Sequence, residues 1–380
     1  MKDLIEVSPT ESHLRNALWL KDMKCRVPRE ILRDQCYDKK GDTKLQPPNG
    51  GQLALESLTD PEKAEIVSRI RSLRMFTETP PLSSRIPFSY QLVPPFLRNI
   101  IARAIGRRGT QDADKWAAFP SFPLDLSADA LSDILSLPYE RLSPTPVLLT
   151  HDIDSPEGLG NLPLFLEEEE AVGARSTNFI VPCSWEIDHG IVSDVRYRRH
   201  EIGIHGFDHS NKTAFMSIPA INRRIDKMRN FIEKYDVEGY RAPSLLRTRK
   251  LLHALSFFFR YDSSIPTSGG LFPVPNNGCA SARLFEVEGI LEIPLTMPRD
   301  GTLLFLGYTP ENIKDLWLHC ADTIGSSGGV VVLLTHCEKR FSGNEKMLEM
   351  YRQLLHRFSD DTRFIFKTCG EFLDTAKDSG

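Results

Sequence analysis

From Thr145 onward, short β-rich runs alternate with helical patterns, and this alternation constrains the fold more than any other feature. The runs are "PVLLTHD", "STNFIV", "RHEIGIH", "VEGYR", "FRYDSS", "LEIPLT", "GGVVVLLTH" and "RFIFK". Between them lie segments such as "LPLFLEEEEAVGA", "PAINRRIDKMRNFIEKY", "TPENIKDLWLHCADTI" and "NEKMLEMYRQLLHRF". Strands joined by helical crossovers make a parallel sheet, because a tight turn can only join antiparallel strands. Seven or eight such strands predict an α/β fold whose sheet closes into a barrel. In such barrels chemistry gathers where strands end and loops begin. Asp152, Asp154, His205, Arg241, Asp262 and His336 all fall at the C-terminal ends of predicted strands.

The first 143 residues read differently. They hold 13 of the 26 prolines, in clusters such as "QPPNGG", "ETPPLSSRIP" and "LVPPF". A helix is expected over Asp60–Phe76, with Asp60 as cap and Pro61 in the first turn. Residues 1–143 are therefore expected to form a partly helical N-terminal extension, and residues 144–380 the barrel. The net charge of −4 offers no basic excess for nucleic acid. The N-terminus lacks the pattern of a signal peptide, and no apolar run approaches a membrane span, so a cytoplasmic location is expected. Seven cysteines without a CxxC spacing predict reduced thiols, not a disulfide framework or a structural zinc knuckle.

The chemistry centres on "LLTHDID", Leu148–Asp154. Side chains alternate along a strand, so Asp152 and Asp154 share one face and His151 takes the other. Two neighbouring carboxylates repel unless a cation relieves them. A divalent metal does so, with one Asp as ligand and the other as base. The segment "IHGFDHS" adds His205 and His209, four apart, on one helical turn or across a tight loop. One Asp and two His leave positions open for water and substrate, the pattern of a catalytic zinc site. Asp152, His336 in "LLTHCE" and Arg241 in "YRAPS" suit the remaining tasks of base, acid and charge holder.

The ordered set "THDID", "HGFDH", "RAP", "YDSS" and "LLTH" resembles the five motifs of the NodB-like polysaccharide deacetylases, carbohydrate esterase family four. The resemblance covers about residues 144 to 375. It implies a distorted (β/α)7 barrel that removes acetyl groups from sugars with a divalent metal, usually Zn2+, with Co2+, Mn2+ or Ni2+ as substitutes. It implies Asp152 as base, Asp154, His205 and His209 as metal ligands, and Arg241 as the group orienting the base. His336 would protonate the leaving amine and Asp262 would tune His336. Against the family pattern, Ile153 separates the two aspartates, Gly206 replaces a Ser or Thr, "RAP" stands for "RPP", and the fourth motif lacks its tryptophan.

Other features have plainer readings. His151 is expected to pack outward between strand and helix, and Cys337 to point away from His336, which argues against a Cys–His dyad. Glu167–Glu170 reads as an exposed helix face. His189, His200, His253, His319 and His356 read as structural or solvent-facing. "PPFLRNIIARAIGRR", Pro94–Arg108, has an apolar stripe with arginines around it; docking on the barrel is favoured over weak contact with an anionic membrane surface. "FPSFPLDLSADAL", Phe119–Leu131, either lines a substrate groove through Phe119, Phe122 or Asp125 or forms a strand-then-helix packing element with "SAD" as cap. The expected partner is a carbohydrate or glycoconjugate, and the expected reaction is removal of an N-acetyl, O-acetyl or formyl group. Rival readings are an amidohydrolase acting on a non-sugar amide, a non-catalytic sugar-binding relative, and a facial-triad Fe(II) oxygenase.

Overall fold

The computed structural model describes residues 4–7, 59–72, 75–85, 122–139, 141–268 and 278–378. Its main sheet contains β3 (Thr145–Ile153), β4 (Ser176–Ile180), β5 (Glu201–Ile204), β6 (Gly239–Tyr240), β7 (Tyr261–Asp262), β8 (Phe285–Val287), β9 (Ile290–Glu292), β10 (Val331–His336) and β11 (Phe364–Phe366). The order is β10-β3-β4-β5-β6-β7-β9-β8, with β11 beside the start of β3. All eight runs read from the sequence are strands in parallel pairing. The addition is β8, an antiparallel partner of β9 across a hairpin.

The sheet curls toward a barrel without closing through regular ladders. The seam between β9 and β10 is stitched by the segment after β9: Met297 N donates to Val332 O, and Val332 N donates to Thr296 Oγ1. This is the irregularity that the expected distorted (β/α)7 barrel calls for.

Strand alternation sorts the apolar residues into two cores. Leu148, Phe179, Tyr261, Val332 and Leu334 face inward and pack with Phe372 and Leu373 of the C-terminal helix Cys369–Asp378. Val147, Leu149, Ile153, Val331 and Leu333 face outward and pack under the crossover helices. The C-terminal helix is tied to the strands by Cys369 N to Thr177 Oγ1 and Gly370 N to Glu201 Oε2. The other end of the sheet is left for chemistry.

Several expectations need correction. Glu169 of the helix Pro156–Ala171 is not on an exposed face; it is fully buried. It accepts from His151 Nε2 at 2.7 Å and Tyr351 Oη at 2.7 Å, and His200 Nδ1 lies 3.5 Å away. His151 does pack outward, with Nδ1 on Thr335 Oγ1. The glutamate is drawn inside because these outward-facing polar groups of the strand layer need an acceptor. The helix near Asp60 spans Asp60–Ser72 and is entered at Thr59, whose N and Oγ both donate to Glu62 Oε2, so the glutamate side chain reaches back to the helix start. Residues 122–134 form the strand-then-helix element, β2 (Phe122–Asp125) and the helix Ser127–Ile134. There Asp125 accepts from Ser127 N, and Leu126 at the N-cap position supplies no side-chain cap. β2 pairs with β1 (Leu4–Val7). Phe119 and the segment 94–108 lie outside the described residues. Among those described, no helix is long and apolar enough to cross a membrane.

Burial pushes the Glu169 carboxyl up, but His151 and His200 outweigh it and hold it below the ordinary range. Its stabilisation is full above the ordinary glutamate value of 4.5 and is lost as pH falls through the depressed one. Glu169→Ala, which strands these buried partners, is expected to cost about 3–5 kcal/mol in urea unfolding at neutral pH.

Candidate metal centre and active site

The parallel register of β3 and β10 sets Asp152 beside His336, and that of β3 and β4 sets Asp152 beside Phe179. Side chains at paired positions of parallel strands point the same way. Asp152 and His336 therefore enter the barrel mouth together, and Asp154 follows two residues beyond Asp152.

Beyond β5 the chain turns sharply at Gly206. Its φ is +70°, and a Cβ there would lie 2.4 Å from Pro243 Cγ, so this position of the second motif requires glycine. The turn returns His209, itself at φ 53°, toward His205. Thus the two histidines meet across a tight loop and not on a helical turn; their ring centroids are 5.1 Å apart. His205 Nε2 lies 3.4 Å and His209 Nε2 3.1 Å from Asp154 Oδ1. All three ligand atoms fall within 4.8 Å of one another. Asp154 Oδ1 is buried with no hydrogen-bond partner. His205 Nδ1 faces the carbonyl of Arg241 at 3.1 Å, and a carbonyl can only accept. The proton therefore sits on Nδ1, leaving the Nε2 lone pair for a cation. Burial pushes Asp154 up, but the two imidazoles outweigh it and keep it well below the usual carboxylate range. An ionised carboxylate with an orphaned oxygen and an imidazole fixed in the ligating tautomer fit a divalent metal.

Arg241 follows β6, and its side chain is fully buried. Its Nη1 donates to Asp152 Oδ1 at 3.0 Å and Thr150 Oγ1 at 2.8 Å. Its Nε and Nη2 donate to Ser263 O and Oγ, and the guanidinium lies 4.1 Å over the Phe179 ring. Burial pushes Asp152 up, while His205, Arg241 and His336 together bring it below its ordinary value.

His336 and Asp262 are not brought together. His336 Nδ1 bonds Asp300 Oδ1 at 2.8 Å, and its backbone N donates to Asp300 Oδ2. Asp300 also accepts from Ser342 Oγ and Gly301 N. Although burial opposes it, Asp300, with smaller help from Asp154 and Asp152, raises the His336 imidazole to about 10. Asp262 instead accepts from Ser264 N and Oγ and sits against the buried Glu292, whose carboxyl burial drives well above its usual value. His336 meets Asp300 and not Asp262 because β7 ends at the Arg241 side of the mouth, whereas the segment after β9 runs beside β10. The available signal was an aspartate at the start of a helix just beyond the predicted strand "LEIPLT".

Glu338, two residues after His336, lies beside this group. It is 2% exposed and accepts from Ser155 Oγ at 2.6 Å, while its other oxygen has no partner. Burial and the charge of Asp154 push it up to about 7, against the pull of His336. Cys337 points into the outer core as expected, and burial raises its thiol well above the usual range.

No family model matches this chain, and no curated protein does. Solved structures do. A protein from Mycobacterium smegmatis described as a polysaccharide deacetylase is 15% identical, covering 64% of this chain and 93% of its own, with a TM-score of 0.49. A peptidoglycan deacetylase from Bacillus subtilis is 11% identical over 63% and 95%, TM-score 0.41. A family 4 acetyl xylan esterase from Clostridium thermocellum, solved with a cobalt ion, is 18% identical over 60% and 91%, TM-score 0.41. The likeness is one of chain path at low identity.

Replacing Asp300 by Asn is expected to return the His336 titration from about 10 toward its ordinary 6.5, read by NMR of the imidazole. The pair's stabilisation is fully present below 6.5 and is lost as pH rises toward 10. Wild type and Asp300→Asn should therefore converge in unfolding free energy at high pH.

Proposed function

We propose that the chain is a metal-dependent hydrolase of the NodB-like deacetylase type, removing an acetyl or related acyl group from an amino sugar. In this reading residues 144–380 are the catalytic unit, and the substrate is a carbohydrate precursor within the cytoplasm. One observation carries the reading: a base and an acid on adjacent strands, Asp152 and His336, stand in register beside the Asp154, His205 and His209 ligand set.

Asp154, His205 and His209 would hold the metal, Zn2+ first among candidates. A bound divalent cation with this ligand set lowers the pKa of water and polarises an acyl oxygen. The protein's own groups perform the proton transfers. Asp152, kept ionised by Arg241, accepts a proton from the attacking water. The water oxygen bonds the acyl carbon, and the carbon–nitrogen bond breaks. His336, kept protonated by Asp300, delivers its proton to the departing nitrogen. The products are a carboxylic acid and a free amine, so atoms balance without any redox partner. Thr150 and Ser263 take the remaining Arg241 donors, fixing the guanidinium that aims the base.

The test is acetate release from acetylated amino sugars by the zinc- or cobalt-loaded protein, with non-sugar amides in parallel. Asp152→Asn is expected to keep its metal and lose about 10²–10⁴-fold in turnover. An inert wild type across both panels, or undiminished turnover in Asp152→Asn, would overturn the proposal. His209→Ala is expected to weaken metal binding beyond the roughly 10–100-fold that changes outside the ligand set cost, measured by cobalt(II) absorption.

A further inference from the structure

A cleft of about 340 Å³ opens between the loop after β4 and the helix Ile218–Tyr235. Its lining includes Cys183, Trp185, His189, Lys227, Phe231 and Lys234, and no Asp or Glu. In a chain with a net charge of −4, a cleft with two lysines and no acid is unusual. Another cleft, of about 410 Å³, is neutralised from within: its Arg363 pairs with Asp322 and Asp361.

The two lysines are seven residues apart on one helix, hence on one face and about two turns apart. Among the described residues neither is in an ion pair; Lys227 Nζ lies over the Phe207 ring at 5.9 Å and Lys234 Nζ over Tyr235 at 5.0 Å. Of the helix's own acids, Asp226 is engaged with Arg229 at 2.6 Å. Trp185 Nε1 is buried with no hydrogen-bond partner. A buried donor left unsatisfied is destabilising, and an incoming acceptor removes that cost. Trp185 and Phe231 supply flat apolar surface of the kind that stacks on a sugar ring. His189 Nδ1 is committed to Tyr235 Oη at 2.7 Å.

This cleft adjoins the candidate active site. Cys183 N donates to Phe207 O at 3.1 Å, and Phe207 lies in the turn between His205 and His209. Loops after β4 and β5 share the barrel end that carries Asp154. The volume suits one phosphorylated sugar.

We infer that this cleft binds the phosphate of a phosphorylated glycoconjugate, with Lys227 and Lys234 pairing the phosphoryl oxygens and Trp185 donating its indole proton. The substrate assignment rests on the hydrolase reading; the binding itself does not. Calorimetric titration of the full chain, freed of metal by a chelator, separates the two because it needs no turnover. N-acetylglucosamine 1-phosphate is expected to bind at least about tenfold more tightly than N-acetylglucosamine. That advantage should vanish in the double variant Lys227→Met, Lys234→Met and persist in His209→Ala. Both lysines are exposed, so the double variant should keep the wild-type thermal midpoint. Cosedimentation with phosphatidylglycerol vesicles forms a second arm. Lysine-dependent binding to vesicles assigns a lipid-borne phosphate, and lysine-dependent binding of the sugar phosphate alone assigns a soluble one. Equal affinity for the two sugars without vesicle binding, affinity unchanged by the lysine substitutions, or loss of binding in His209→Ala would overturn the inference.

Discussion

The barrel mouth is built around one buried guanidinium. Transferring an arginine from water to an interior costs several kcal/mol unless its donors are taken up. Arg241 meets that demand with Asp152, Thr150 and both the carbonyl and hydroxyl of Ser263, then stacks on Phe179. These partners lie on β3, beyond β7, and on β4, so one side chain fixes the spacing of several strand ends. Phe179 can occupy its place because its neighbour on β5 is Gly203, where a Cβ would stand 2.4 Å from the ring. Arg241 also reaches His205 through its backbone, since its carbonyl holds His205 Nδ1. The orientation of Asp152 and the tautomer of His205 thus have a common origin.

Charge around this point is unevenly compensated. Asp152 has a guanidinium, and Asp300 has an imidazole, a hydroxyl and two backbone amides. Asp154 has two imidazoles, of which His205 carries its proton on the far nitrogen. Glu338 has one hydroxyl, and its carboxyl is accordingly pushed up to about 7. The deficit of positive charge is at Glu338, beside Asp154, on the side where Ser155 joins the end of β3 to the loop after β10. A divalent cation held by Asp154 would relieve this local repulsion.

The parts of this arrangement legible in the sequence are those governed by strict periodicity. Alternation along "LLTHDID" placed Asp152 and Asp154 on one face and His151 on the other, and "LLTHC" separated His336 from Cys337 in the same way. The eight parallel strands followed from the same kind of pattern. What was not legible depends on segments without a period. Asp300 reaches His336 because the chain after β9 crosses to β10 through irregular contacts at Thr296 and Met297. A motif-based assignment to Asp262 cannot see such a crossing. Glu169 looked exposed within an acidic run because its partners come from three distant stretches, at His151, His200 and Tyr351. Helical phase within four consecutive glutamates does not reveal which one meets buried donors.

The described pieces of the first 143 residues bear on the site through a chain of contacts, not through a ligand. Asp129 accepts from Ser281 Oγ and Ala282 N, and Arg71 lies 4.0 Å from it. Farther along, Thr77 N donates to Arg247 O, and Arg247 Nε donates to Met75 O. Arg247 also holds Leu245 O, in a stretch where Ser244 and Leu245 both adopt left-handed backbone angles, φ 53° and 54°. Such conformations persist only where surrounding contacts over-determine them. The stretch begins at Pro243, the residue against which Gly206 is packed. Segment 75–77 thus holds the loop after Arg241, and Pro243 of that loop lies against Gly206 in the His205–His209 turn.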